Sequence, residues 1–307
     1  MNRLVGDAAN AVLAPPELRR FRRVVGLAGD EPLTVDVNGW HKLVLLVADR
    51  AFLFVRGADH LDGFERELRA YEVLASSGLD IVPRLLGRWH EQRVHPFPFA
   101  AVSRLRGAVP NDAAPLFDQL GAAIASWHEL DPPSSLPFAL PVGHEAPHQQ
   151  WLRRALDPAT TASAVAELCD QLGDAAELHR WTDLLGQAAA LDRVLVHGDV
   201  HEDQLLADGG RLTGVLDWET ARLDHPFWDF DLGEWGTGLW RRHRRSFNEL
   251  WSTAWGAYCR ARPHVAVPAD AVIAAFRLRQ VHFLLRGTGA DAAVVGSVEE
   301  HVAALSA

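Results

Sequence analysis

The sequence predicts an α+β fold with two lobes in chain order, a small antiparallel sheet followed by a larger, mainly helical part. Three observations predict it. Five short β-forming runs crowd into the first hundred residues around a single helical stretch. After about residue 107 the apolar spacing is helical over long stretches. That helical part is broken once, near residues 194–217, by apolar runs flanking a glycine turn. A length of 307 residues, 48% hydrophobic and 23% charged, suits a well-packed globular chain.

The elements follow in order. Residues 1–30 read as helical or irregular, with a helix start at Pro15-Pro16-Glu17-Leu18, where proline fits the first turn. Arg19–Arg23 reads as a solvated face or a local anion patch. Three β segments come next, near Leu33–Val37, Lys42–Val47 and Ala51–Val55. Asn38-Gly39 between the first two is a strong hairpin turn, because both residues accept positive φ. Phe64–Ser76 has amphipathic spacing, with Leu68, Tyr71, Val73 and Leu74 on its apolar side and Gly78 as its stop. Pro83–Leu86 and Phe99–Val102 read as two more strands. Leu116–Leu130 is a helix, 132–147 an extended proline-rich loop, and Trp151–Ala190 alanine-rich and helical. Further helices run from about Trp240 to Tyr258 and Ala269 to Leu285. The division expected is 1–100 for the first lobe, 101–106 for a hinge and 107–307 for the second lobe.

Composition narrows the classes. Cys169 and Cys259 lie far apart and suggest no disulfide framework, so a reducing cytoplasm is expected. Met1–Pro16 lacks the pattern of a signal peptide, and no apolar run approaches the ~20 residues of a membrane-spanning helix. The first hundred residues are balanced in charge, so the whole net charge of −10 falls on residues 101–307. That disfavours nucleic acid as a partner and favours a cationic small molecule, although acidity also serves plain solubility. No membrane partner is expected, and the chain is read as a monomer or homodimer.

The chemistry concentrates in His197-Gly198-Asp199-Val200-His201, followed by Asp217-Trp218-Glu219. Val194–Val196 enters the first loop, Gln204–Ala207 leaves it, Asp208-Gly209-Gly210 turns, and Leu212–Leu216 runs into Asp217. Two carboxylates on such a hairpin can divide their work. One accepts a proton from a hydroxyl while the other holds Mg²⁺ on nucleotide phosphates.

With Asp231-Leu232 downstream, these pieces resemble the aminoglycoside phosphotransferase and choline kinase group, a branch of the protein-kinase-like fold. The β-β-β-α-β-β order of the first lobe resembles a kinase N-lobe. The resemblance implies ATP or GTP with Mg²⁺, and a phosphotransferase acting on a hydroxyl of a small molecule. It implies Asp199 as the catalytic acid–base residue, with Asp217 and Gln204 as metal ligands. Gln204 departs from the usual asparagine by one methylene. Arg56, after the third strand, stands where the family has a lysine or arginine on the phosphates, and Glu67 is its expected partner. Lys42, the only lysine in the chain, competes for that role. Asn38 and Gly39 would cover the phosphates, and Ala101 and Ser103 would offer backbone groups to the base. Asp231 resembles the aspartate that braces the catalytic loop.

Glu219, Asp224, Asp231, Glu234 and Trp235 are the candidate acceptor-binding residues. Trp228 and Trp240 belong to the same aromatic and acidic stretch, whose plainer reading is core packing. An aminoglycoside-type antibiotic leads as acceptor, which would make the protein a resistance factor; choline-like amines, homoserine and sugars share the chemistry. Two other classes stay open. One is a kinase-like binding protein with little catalysis, suggested by Arg56 and Gln204. The other is a zinc hydrolase built on His197, Asp199 and His201.

Overall fold

The computed structural model describes residues 3–5, 13–36, 41–131, 145–173, 177–232, 238–287 and 292–306. Asn38, Gly39, Glu234 and Trp235, together with most of the expected 132–147 loop, lie outside them. The chain forms two compact units that do not follow chain order. One comprises residues 1–109 and 204–220, the other 110–203 and 221–307. Residues 101–106, expected as a hinge, and the 204–220 hairpin, expected in the second lobe, both belong to the first unit.

In the first unit a six-stranded antiparallel sheet has the order β1-β2-β3-β4-β6-β5. Its strands are β1 (Arg3–Val5), β2 (Thr34–Asp36), β3 (Lys42–Val47), β4 (Arg50–Val55), β5 (Leu85–Trp89) and β6 (Phe99–Ser103). Strand β1 was expected to be helical or irregular; it is the three-residue edge strand that pairs with β2. Side chains alternate across a strand. Val35, Leu45, Val47, Phe52, Phe54, Phe99 and Ala101 therefore share one core with Phe21 of helix α1 (Pro15–Val24). The Phe21 ring sits edge-on to Phe52 at 4.9 Å and to Phe54 at 5.5 Å. Leu53 and Val55, of the opposite parity, are buried as well, so β4 is apolar on both faces. Helix α2 (Leu61–Leu74) buries Phe64, Glu67, Leu68, Ala70, Tyr71 and Leu74.

The expected hairpin is β8 (Leu205–Asp208) and β9 (Arg211–Val215), paired antiparallel. Gly209 and Gly210 make its turn with φ of 57° and 78°, the positive values that a tight two-residue turn needs. Its attachment to the first unit is a matter of hydrogen bonds. Ala108 and Ala207 exchange a pair of them, Val215 N–H donates to Ile81 O at 2.8 Å, and Thr213 Oγ1 donates to Arg106 O at 2.7 Å.

The second unit holds helices α3 (Phe117–His128), α4 (Pro147–Ala155), α5 (Thr161–Leu172), α6 (Leu178–Ala189), α7 (Gly238–His243), α8 (Phe247–Ala261), α9 (Ala269–Gly287) and α10 (Ala292–Ser306). The single helical stretch expected over Trp151–Ala190 is three helices. Residues Leu156–Thr160 separate the first two, and Gly173 ends α5 in the left-handed conformation. Residues 271–282 of α9 are buried on every side, as a central helix requires. A two-stranded sheet of β7 (Val194–Val196) and β10 (Arg222–Asp224) completes the unit.

Helices α3 and α8 approach closely at Gly121, where a Cβ would come within 2.0 Å of Ala254 O. Since this obstacle is backbone, Gly121→Ala is expected to destabilise the protein by at least about 1–3 kcal/mol, the usual cost of overpacking. Urea unfolding checks it; an unchanged midpoint would show that α3 and α8 do not pack this way.

Candidate functional site

In the first unit one ammonium gathers three carboxylates. Lys42 Nζ donates to Glu67 Oε2 at 2.7 Å and to Asp217 Oδ1 at 2.6 Å, and lies 3.1 Å from Glu219 Oε2. Lys42 is buried, and Glu67 is only 2% exposed. Tyr71 donates its hydroxyl to the other Glu67 oxygen at 2.8 Å, one helical turn along α2. Burial disfavours the charged ammonium, but Glu67, Asp217 and Glu219 outweigh that, and the Lys42 pKa is raised. His41 Nδ1 meets the second Glu219 oxygen, while the Arg66 guanidinium donates to the Glu219 peptide oxygen at 2.8 Å.

This corrects the expected pairing of Arg56 with Glu67. The reason is strand parity. Lys42 pairs with Val55, and Arg56 N–H continues the ladder to His41 O at 2.9 Å. Arg56 thus shares the parity of Phe52 and Phe54, on the α1 side of the sheet, and is exposed. Lys42 has the parity of Leu53 and Val55 and is the side chain that reaches Glu67.

Asp217 follows β9 after one residue, Leu216, and has φ of 66°, a left-handed backbone that aspartate tolerates better than most residues. Gln204, buried at the same open end of the hairpin just before β8, accepts Leu216 N–H on its peptide oxygen at 2.9 Å. The hairpin ladder therefore sets both residues. Asp217, Glu219 and the Gln204 amide offer hard oxygen donors, the chemistry Mg²⁺ takes, with one or two carboxylates and phosphates completing its shell. The convergence of two of those carboxylates on the Lys42 ammonium shows that they face a cation. The residues fit the metal that the resemblance implies.

The second unit carries the loop of Asp199. Its backbone is held from behind by Asp229, which is fully buried. Asp229 accepts from His197 N–H at 3.0 Å, Gly198 N–H at 2.7 Å, Trp127 Nε1 at 2.7 Å and His128 Nε2 at 3.0 Å. Burial alone would raise the Asp229 pKa; the His128 hydrogen bond, with other partners, brings it below the ordinary value. Burial lowers that of His128. The pair is thus a carboxylate and a neutral imidazole, with the His128 proton on Nε2 and Nδ1 facing the Tyr258 hydroxyl at 3.0 Å. Gly198 has φ of 81°, which only glycine adopts without strain. Asp199 N–H donates to His197 Nδ1 at 3.3 Å, and the Asp199 side chain remains 41% exposed. A fixed backbone with an accessible carboxylate is what orienting a substrate hydroxyl requires.

Asp229, not Asp231, is therefore the brace. One signal for it was in the sequence: Pro226-Phe227-Trp228-Asp229-Phe230 places a lone acid in an apolar run, where burial demands donors. Asp231 instead takes both terminal nitrogens of Arg279, one at 2.8 Å. Asp224 accepts from Arg222 Nε at 2.7 Å and from the two terminal nitrogens of Arg153 at 3.1 and 3.0 Å. Trp228 is buried with the Arg153 and Arg222 guanidinium groups over its ring at 5.3 and 5.1 Å. Asp224 and Asp231 are thus bound within the protein, and Glu219 belongs to the Lys42 cluster. Ala101 sits mid-ladder between Phe52 and Gly87, which commits its peptide groups to the sheet and not to a base. Ser103 ends β6; its N–H donates to Arg84 O and its hydroxyl accepts Arg84 N–H, at 2.8 and 2.9 Å. Asn38, Gly39, Glu234 and Trp235 lie outside the described residues, as does the side chain of Trp240. Among the described residues no three His, Cys, Asp or Glu side chains are placed to bind a metal together, which leaves the zinc reading of His197, Asp199 and His201 without a site. No helix among them is long and apolar enough to cross a membrane.

The sequence profile of the phosphotransferase enzyme family matches residues 33–266. Among solved structures, a type I macrolide 2'-phosphotransferase is 19% identical with a TM-score of 0.53, covering 99% of each chain. The apoenzyme of macrolide 2'-phosphotransferase MphH from Brachybacterium faecium is 20% identical with a TM-score of 0.53, covering 94% of this chain and 97% of that one. The ternary complex of APH(2'')-IIa with streptomycin and ATP is 13% identical with a TM-score of 0.53, covering 95% and 96%. At these identities the likeness shows the fold, which is protein-kinase-like. The uncharacterised protein YcbJ of Bacillus subtilis strain 168 is 36% identical over 76 residues, so the match spans only 25% of that relative's length.

The second unit also predicts an acid response. Burial is the leading cause that pushes the imidazoles of His225 and His282 down to about 4 and that of His301 down to about 3. The unfolded chain takes up these protons near pH 6.5, and the folded chain refuses them until near pH 4. Stability is therefore expected to fall as pH drops from 6.5 toward 4, read as a declining thermal midpoint. Neither ring nitrogen of His282 has a hydrogen-bond partner among the described residues, so His282→Leu should make the decline shallower. A flat profile from pH 7 to 4.5 would contradict this.

Proposed function

The chain belongs to the phosphotransferase enzyme family, and on that premise we propose that it moves the terminal phosphoryl group of ATP or GTP to a hydroxyl of a small molecule. The observation that carries the reading is the buried Lys42–Glu67 pair held against Asp217, two residues past the hairpin's last strand residue. A fixed ammonium beside an acid that faces a cation is the equipment for nucleotide phosphates. Phosphoryl transfer asks little of a protein beyond such positioning and charge stabilisation.

Each residue then has a role. Lys42, set by Glu67, neutralises and orients the phosphates. Asp217 and Gln204, with Glu219 beside them, would hold Mg²⁺, which when bound offsets the charge that develops on the phosphoryl oxygens. Asp199 accepts the hydrogen bond of the acceptor hydroxyl and aims its oxygen. The new bond joins that oxygen to the γ-phosphorus, the bond from phosphorus to the β,γ-bridging oxygen breaks, and the hydroxyl proton passes to the Asp199 carboxylate.

The acceptor is read from the acids left to it. Fold relatives named for macrolides and for aminoglycosides share one architecture, so the fold does not select between them. Asp224 and Asp231 are taken by arginines, and Glu234 lies outside the described residues. The acceptor is therefore proposed as a hydroxylated small molecule, with aminoglycoside-type and macrolide-type compounds as separate arms of the test. A binding protein with little catalysis loses one of its two grounds, because Lys42 supplies the cation that Arg56 was expected to provide.

The test is nucleotide consumption across a panel of macrolides, aminoglycosides, amino alcohols and sugars with Mg²⁺. Turnover is expected on a hydroxylated acceptor, and Asp199→Asn should lower kcat by about 10²–10⁴-fold, with the nucleotide KM nearly unchanged. Turnover that survives intact in Asp199→Asn would remove that residue from the mechanism.

A further inference from the structure

The arrangement around Lys42 bears on the order in which ligands bind. An ammonium has three N–H donors, and three carboxylate oxygens lie within 3.1 Å of this one, on Glu67, Asp217 and Glu219. Its contact with Asp217 Oδ1, at 2.6 Å, is the shortest of the three. We propose that before nucleotide arrives the Lys42 ammonium itself occupies the cation place on Asp217 and Glu219, so that a divalent ion enters only together with phosphates that draw the ammonium away. This rests on the reading of Asp217 as the metal-holding acid.

The physical grounds are charge and space. Glu67 and Lys42 are nearly inaccessible and the Glu219 side chain is 15% exposed, so water screens them weakly, while the Asp217 side chain, 37% exposed, is the open side of the cluster. Three acids at such short range would repel one another without a cation between them. One ammonium lessens that repulsion and leaves an excess of negative charge. A doubly charged ion held by the same Asp217 carboxylate would sit against the ammonium and be repelled by it. Triphosphate supplies the missing element. Its oxygens compete for the Nζ donors, and its charge lets ammonium and metal coexist. Lysine suits this exchange better than arginine, because a point charge on a flexible four-carbon stem can swing where a planar fork is held by its geometry. The other neighbours of the cluster are His41, on the far Glu219 oxygen, and Arg66, on the Glu219 peptide oxygen.

The experiment is Mn²⁺ titration of the nucleotide-free protein, followed by water-proton relaxation. Wild type is expected to bind Mn²⁺ weakly. Lys42→Met should bind it at least about tenfold more tightly, since each factor of ten needs only about 1.4 kcal/mol of removed repulsion. Adding Asp217→Asn to Lys42→Met should abolish the gain. Lys42→Met leaves Glu67 buried and unpaired, so Lys42→Met/Glu67→Gln, with folding confirmed by circular dichroism, provides a second background in which the gain must appear. Equal or weaker Mn²⁺ binding in a folded Lys42 variant would overturn the proposal. The outcome is separable from the proposed reaction. Turnover in wild type with no Mn²⁺ gain sinks only the counter-cation role, whereas a gain with no turnover on any acceptor sinks the reaction.

Discussion

The first unit depends on burying one ammonium among three acids. Lys42 is the only lysine in the chain, and it lies on the face of the sheet opposite the aromatic core of Phe21, Phe52, Phe54 and Phe99. Removing one partner of a buried ion pair typically costs about 3–5 kcal/mol, because the other charge is left uncompensated. That constraint fixes more than one side chain. It sets the rotation of α2 through Glu67 and Tyr71, and it sets the end of the 205–215 hairpin through Asp217. A helix, a strand and a hairpin separated in sequence are thereby tied to one point.

The second unit solves a similar problem with the opposite sign. Asp229 is a buried carboxylate with no lysine or arginine paired to it among the described residues, and four N–H donors hold its charge. Two of those donors are successive peptide groups of the loop before Asp199. The arrangement is thus a rigid backbone under an exposed acid, and the neutral His128 behind it keeps the hydrogen-bond chain running to Tyr258. In both units a buried charge fixes a loop that carries a more accessible acid, Asp217 in one and Asp199 in the other.

Much of this was legible in the sequence. The strands over 42–55 and 99–103, the helix after Phe64 and the glycine turn of the hairpin all follow from period and turn chemistry. Asp199 and Asp217 stood out because both border short apolar strands. Other features were hidden for physical reasons. Choosing Arg56 over Lys42 meant counting positions along a strand, whereas the deciding quantity is which face a residue takes, and a shift of one residue reverses it. Asp231 matches the brace by resemblance, yet two acids two residues apart are told apart only by the donors that surround them. Arg3–Val5 and Arg222–Asp224 are three-residue strands whose pairing partners lie about thirty positions away in sequence, so no local pattern announces them. The arginines that take Asp224 and Asp231 are tertiary partners, which no local pattern announces.

The central claim is that Lys42, and not Arg56, is the cation for the nucleotide. It is tested most directly by calorimetric titration of ATP with Mg²⁺ into Lys42→Ala and Arg56→Ala, both checked for folding. The account predicts that the larger loss of nucleotide affinity falls on Lys42→Ala. An equal or greater loss in Arg56→Ala would contradict it.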